Sequence, residues 1–164
     1  MTHGAAVTHG ANMRDASAPK DAQALAEACA AAMWAEDRAS QGLGMRIERV
    51  GPGEAVLAMT VAEHMVNGHG LCHGGFIFTL ADSAFAFACN SHGRRAVAQH
   101  CAITFLRPAR LGDRLVAHAQ ERARTGRSGL YDVTVRTEAG EPVAEFRGHS
   151  RVIPGTLAGD AKTD

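Results

Sequence analysis

Asp82 is the residue of this chain whose type and setting most invite chemistry. It is the single charge inside a stretch, residues 76–92, that is otherwise apolar on every face and rich in Ala and Phe. A carboxylate in apolar surroundings is costly unless it is partnered or protonated, and it lies too far along the stretch to cap a helix N-terminus. Two readings follow: a structural carboxylate held by an arginine or by backbone donors, or an acid, base or nucleophile at a reaction centre. Just before the stretch comes Asn67-Gly68-His69-Gly70-Leu71-Cys72-His73-Gly74-Gly75. Two glycines at a helix start let a ligand approach the backbone closely, and free N–H groups there favour an anion or a developing oxyanion. A tight turn needing only glycine flexibility is the plainer alternative. Gly74 and Asp82 are eight residues apart, ~12 Å along a helix axis. A reacting atom must sit within roughly 3 Å of both an oxyanion donor and its base or nucleophile. One chain cannot easily bring both groups to one small centre. Two antiparallel copies of the helix across a two-fold axis could pair Gly74 of one with Asp82 of the other. If the chain is an enzyme, its site is shared between subunits.

Other constellations fall away. His64, His69 and His73 with Cys72 show no H-E-x-x-H and no zinc spacing, so no metal is called for. Cys72 and His73 are adjacent, and neighbouring side chains seldom face each other as a nucleophile–base pair needs. There is no G-x-S-x-G elbow and no phosphate-binding G-x-x-x-x-G-K, and His73 stands where a dinucleotide fingerprint needs its third glycine. Arg107, Arg110, Arg124 and Arg127 flank strand ends and turns. They read as a solvated charged rim or as partners for the phosphates of a nucleotide-like carrier.

The elements that must position these residues follow from composition and periodicity. The 164 residues (17.2 kDa) are 46% hydrophobic and 21% charged, which suits one globular domain. Seventeen basic side chains balance seventeen acidic ones, leaving no excess charge for nucleic acid or an anionic membrane surface. No apolar run is long enough for a membrane span, and the start lacks the apolar core of a secretory signal. Four cysteines without a C-x-x-C pair read as reduced thiols in a cytoplasm. Residues 1–20 and 154–164 read as flexible tails around a single domain, 21–153. Within it, helical spacing predicts a helix over 21–40 with Gly42 ending it. Strands follow near 45–50 and 57–61, then a loop over 64–75 and a helix over 76–92 that should be buried all round. Four more strands are predicted over 96–106, 114–124, 130–137 and 142–153. Short connections make the sheet antiparallel, and the apolar helix needs that sheet curled around it. The fold class is α+β.

At the level of whole motifs, Asn67-Gly68-His69-Gly70 followed by His73-Gly74-Gly75-Phe76-Ile77-Phe78-Thr79-Leu80-Ala81-Asp82 resembles the hotdog-fold acyl-CoA thioesterases. It is most similar to their phenylacetic acid degradation (PaaI) branch, as are Phe85-Ala86-Phe87-Ala88-Cys89-Asn90-Ser91 and Phe105-Leu106-Arg107-Pro108-Ala109. The resemblance covers roughly residues 21–153. It implies a curved antiparallel sheet around the central helix, dimers with shared sites that pair into tetramers, and hydrolysis of acyl-CoA thioesters without metal or cofactor. It further implies that Asp82 is general base or nucleophile and that the Gly74 N–H is the oxyanion donor. Asn67 would orient water or carboxylate, His73 would hydrogen-bond near the thioester, and Arg107, Arg110 and Arg127 could meet the CoA phosphates. Phenylacetyl-CoA and its ring-hydroxylated relatives are the substrates that the branch implies, within phenylacetate catabolism. Several relatives carry a Ser or Thr near the site, where this chain has Ala98 and Ala86. The alternatives are an acyl-thioester dehydratase or hydratase, with His73 and Asp82 imitating its His–acid pair, and a non-catalytic acyl-CoA-binding protein.

Overall fold

A computed structural model describes residues 20–157 of the chain. The first helical segment is alanine-rich and turns one small-residue face, Ala26, Cys29 and Ala30, into the core. It does not run unbroken as the sequence spacing predicts. Helix α1 (Lys20–Glu36) stops before Asp37, whose carboxylate accepts the Ser40 N–H at 2.9 Å and starts a second short helix, α2 (Arg38–Gly42). An aspartate favours the cap over the helix interior because its short side chain competes for backbone donors.

Strands β1 (Arg46–Gly51) and β2 (Glu54–Thr60) form a hairpin whose turn places Gly53 at φ +71°, where a side chain would be strained. A 3-10 turn over Glu63–Met65 and a loop lead into α3 (Gly74–Asn90). Strands β3 (Arg94–Phe105), β4 (Arg114–Thr125), β5 (Ser128–Thr137) and β6 (Pro142–Thr156) follow. The six strands form one antiparallel sheet in the order β1-β2-β4-β5-β6-β3. The α+β expectation holds. The last strand runs past the boundary read at residue 153: Arg94 pairs with Thr156, and the Leu157 N–H reaches the Gly93 carbonyl at 3.1 Å. Residues 154–156 are therefore strand and not tail; the remainder of both predicted tails, apart from Lys20 and Leu157, lies outside the described residues.

The sheet curls around α3. Alternate residues of β4 and β5 (Leu115, Ala117, Ala119; Tyr131, Val133, Val135) face inward and are fully buried with Phe146 of β6. Phe85 packs edge-on to Tyr131 with ring centres 5.5 Å apart and meets Phe146 at 5.9 Å. Gly148 allows this closeness, since a Cβ there would lie 2.8 Å from the Phe85 ring. The helix is not buried all round. Gly75, Thr79, Asp82 and Ala86, spaced by four, three and four residues, form a stripe that the chain's own sheet leaves exposed or half-buried. Next to this stripe β3 forms a sheet edge, most of it exposed, with Val97 46% and Phe105 50% accessible.

Candidate active site

The N-terminal end of α3 is built by its own side chains. Asn67 Oδ1 accepts from the His69 and Leu71 N–H groups at 2.9 and 3.2 Å, folding the loop back on itself. That use of Oδ1 leaves the Asn67 amide NH2 as the group free to donate. His73 is the N-cap of α3, and its Nδ1 accepts the Gly75 N–H at 2.9 Å. An accepting Nδ1 fixes the tautomer, so Nε2 carries the proton and points away from the cap. The Gly75 amide is thereby occupied, while the Gly74 N–H has no acceptor among the described residues. A single free donor remains at the positive end of a 17-residue helix.

Glycine at 74 lets the half-exposed Phe105 ring pack directly on the helix start. A Cβ there would lie 2.8 Å from Cζ of Phe105, whose ring lies against it. Gly74, Asn67, Phe105, Arg107 and the apolar Leu71 and Ile77 line a cavity of about 410 Å³. Arg107 also pairs with Glu141 at 2.5 Å, and it shares a wider surface cleft with Arg110 and Arg114. Arg127 is elsewhere. Its guanidinium donates to the Val152 carbonyl, at the opposite end of the β3–β6 pairing from Phe105.

Asp82 sits on the half-open stripe, two helical turns from Gly74 and facing β3. Burial raises its carboxyl above the ordinary aspartate range, and one group opposes this: the Cys101 thiol, which donates to Oδ1 at 3.7 Å. Burial, the nearby carboxylate charge and that hydrogen bond push the Cys101 thiol up to about 11, so it stays protonated and remains a donor. Among the described residues no arginine and no backbone N–H bonds to the Asp82 carboxylate, so the structural-carboxylate alternative lacks its expected partners there. The structure thus gathers Asn67, His73, Gly74 and Arg107 at one end of α3 and leaves Asp82 and Cys101 as a separate half. Sequence reasoning missed Cys101, because nothing in the chain's spacing ties it to a residue nineteen positions away.

A matching family model, the thioesterase superfamily, covers residues 69–144, which include Gly74 and Asp82. The acyl-coenzyme A thioesterase PaaI of Escherichia coli (strain K12) is 48% identical over 132 residues, covering 80% of this chain and 94% of that protein. The chain belongs to the hotdog thioesterases. The solved structure of the E. coli PaaI protein, from the phenylacetic acid degradation operon, superposes with a TM-score of 0.80 at 46% identity, covering 82% of this chain and 97% of that one. A mutant of the phenylacetic acid degradation protein PaaI from Thermus thermophilus gives 0.69 at 40% identity, covering 71% and 100%. As a PaaI homologue of this thioesterase family, the chain is a thioester hydrolase. The dehydratase and non-catalytic alternatives give way. His73 and Asp82 of one chain also do not form a dehydratase-like His–acid pair, since His73 Nδ1 caps the helix and Asp82 bonds to Cys101. No described helix is long and apolar enough to cross a membrane.

Proposed function

We propose that this thioesterase hydrolyses phenylacetyl-CoA or ring-hydroxylated phenylacetyl-CoA in phenylacetate catabolism, at sites shared between two antiparallel subunits of a cytoplasmic enzyme. The observation that carries the shared site is the division of α3 into two halves. The free Gly74 amide and the half-buried Asp82 carboxylate lie ~12 Å apart on one rigid helix. The open stripe of Gly75, Thr79, Asp82 and Ala86 beside the bare edge of β3 supports a second copy there. Pairing of two such dimers would give the tetramer that the family resemblance implies.

In this reading the thioester carbonyl of the substrate accepts the Gly74 N–H of one subunit. Asp82 of the other removes a proton from water, whose oxygen attacks the carbonyl carbon. The tetrahedral oxyanion is stabilised by that N–H at the helix N-terminus. Collapse breaks the C–S bond, the proton passes from Asp82 to the departing sulfur, and the carboxylic acid and free CoA leave. In the covalent variant Asp82 attacks first and water opens the resulting anhydride. Asn67, through its free amide, and His73, through Nε2–H, orient the carbonyl, the water or the carboxylate, and Arg107 and Arg110 hold phosphates of CoA. Arg127 is less suited, because its guanidinium already bonds a backbone carbonyl.

The test is CoA release from phenylacetyl-CoA, its hydroxylated relatives and medium-chain acyl-CoAs, with wild type and Asp82→Asn compared as folded oligomers. The predicted result is turnover preferring the phenylacetyl esters, with kcat reduced about 10²–10⁴-fold in the variant. Equal rates in both proteins would remove Asp82 from the mechanism, and a preference for aliphatic esters would remove the substrate assignment.

A further inference from the structure

A cavity of about 320 Å³ opens on the concave side of the sheet, beyond the C-terminal end of α3 and away from Gly74. Its lining side chains include Arg94, Arg124, His92 and the hydroxyl-bearing Ser128, Tyr131 and Ser150, and no carboxylate is among them. Ser150 is the telling member. It is only 4% exposed, yet its hydroxyl has no hydrogen-bond partner among the described residues and meets the cavity instead. The residue is buried but its hydroxyl oxygen is open to the cavity, so it is available to bond a group that enters there. The space in front of it is kept open by Gly129, where a Cβ would lie 2.6 Å from Ser150 Oγ and 2.7 Å from the Tyr131 ring.

The electrostatics select the sign of the ligand. Glu121 stands behind the cavity wall and accepts from Tyr131 Oη at 2.8 Å, with His92 Nε2 at 2.7 Å. Burial pushes the Glu121 carboxyl up, but these bonds outweigh it and hold the group below its usual range, as a carboxylate. The Tyr131 and His92 protons are therefore directed at Glu121. Arg124 comes no closer than 4.0 Å to that carboxylate, and Arg94 has no ion-pair partner among the described residues. Two guanidinium groups and the hydroxyls of Ser128 and Ser150 are left facing the cavity, the Ser128 oxygen also accepting from Arg151 at 3.4 Å.

We propose that this cavity binds a small anionic group, a carboxylate or phosphate, through Arg94, Arg124 and Ser150. Its volume is at the lower end of small-molecule sites, enough for a phosphate or a short organic acid. Cys89 also lines it, seven residues and ~10 Å beyond Asp82 along α3. The anion could be the distal carboxylate of an acyl group whose thioester is at Asp82, or a free ion. The first source rests on the hydrolytic reading above; the site itself does not.

The experiment is calorimetric titration of the full-length protein with inorganic phosphate and with glutarate, comparing wild type, Ser150→Ala, Arg124→Gln and, as a control, Arg136→Gln, whose guanidinium bonds the Gly140 carbonyl. Binding should weaken roughly tenfold in Arg124→Gln, since charge-assisted bonds dominate anion recognition. It should weaken less in Ser150→Ala, stay unchanged in Arg136→Gln and decrease with added salt. Without anion, Ser150→Ala should be at least as thermally stable as wild type, because the lost hydroxyl had no partner. Phosphate should then raise the wild-type Tm more than that of the variant. No binding of either anion to wild type, equal binding by all four proteins, or a Ser150→Ala variant less stable than wild type without anion would each overturn the proposal. A kinetic arm names the source by comparing suberoyl-CoA with octanoyl-CoA, which differ in the distal carboxylate. Arg124→Gln selectively raising KM for suberoyl-CoA assigns the site to substrate, whereas loss of phosphate binding with both esters unaffected assigns it to a free ion. The calorimetry stands even if Asp82→Asn leaves hydrolysis intact.

Discussion

The His73 side chain caps the second amide of α3 and leaves the first one free. This gives the Gly74 N–H a test that few backbone groups allow. Gly74 is the first helical residue and His73 before it is extended (φ −63°, ψ 131°), both compatible with proline. Gly74→Pro should therefore keep the helix while deleting the one donor; any Cβ there also pushes the half-exposed Phe105 ring aside, so Gly74→Ala, which displaces the ring but keeps the N–H, is the control. The expected outcome is kcat lower by about 10²–10³-fold in Gly74→Pro than in Gly74→Ala, with the same CD and Tm in the two variants. A fully active Gly74→Pro would remove the oxyanion assignment. Asp82 offers a second test through pH. Its carboxyl is raised by burial and drawn back down by the Cys101 thiol. Removing the thiol takes away a donor to the carboxylate, so the proton binds more tightly and the pKa climbs further. Base and nucleophile roles both need the carboxylate, so in Cys101→Ala the acid limb of the kcat/KM profile should move to higher pH. Cys101→Ser, still a donor, should return it toward wild type. A limb unmoved in Cys101→Ala would show that the thiol does not tune Asp82. At this scale the residue types flagged Asp82 and the glycine pair, because an isolated charge and a helix-opening glycine are visible in any sequence. Which amide is capped, and that Cys101 meets Asp82 across a strand, depends on side-chain direction and tertiary pairing.

Among the elements, the long helix and the four later strands were legible because apolar runs and turn residues punctuate them strongly. The misreadings have local causes. Glycines at 74 and 75 are poor helix formers, so the start of α3 reads two residues late; the His73 cap offsets that weakness. The break before Asp37 hides inside a continuous alanine pattern until its cap to Ser40 is seen. Gly148 looks like any strand glycine, although it is where β6 touches the Phe85 ring. Both ring edges close to it belong to packed core side chains, Phe85 and Phe146, which have little room to shift. Gly148→Ala should therefore destabilise by about 1–3 kcal/mol through overpacking, read as a lowered midpoint in urea with the slope unchanged. A variant as stable as wild type would mean that the sheet relaxes freely around α3.

For the whole molecule, a lone chain leaves the reaction divided: an oxyanion donor at one end of α3, a carboxylate in its middle, and an open stripe beside a bare strand edge. The distance between the halves was legible from residue counting alone, because a helix converts sequence separation into length at a fixed rise. The exposed edge of β3 was not, since strand order depends on which strands pair. The central claim is that each site takes Gly74 from one subunit and Asp82 from the other, and subunit mixing tests it directly. Gly74→Pro and Asp82→Asn chains, each nearly inactive alone, are unfolded together, refolded and assayed for CoA release. In a mixed dimer one site would hold both defects and the other neither, so random reassortment should restore about a quarter of wild-type activity. A mixture no more active than its two parents, with mixed dimers verified by mass, would contradict the shared site.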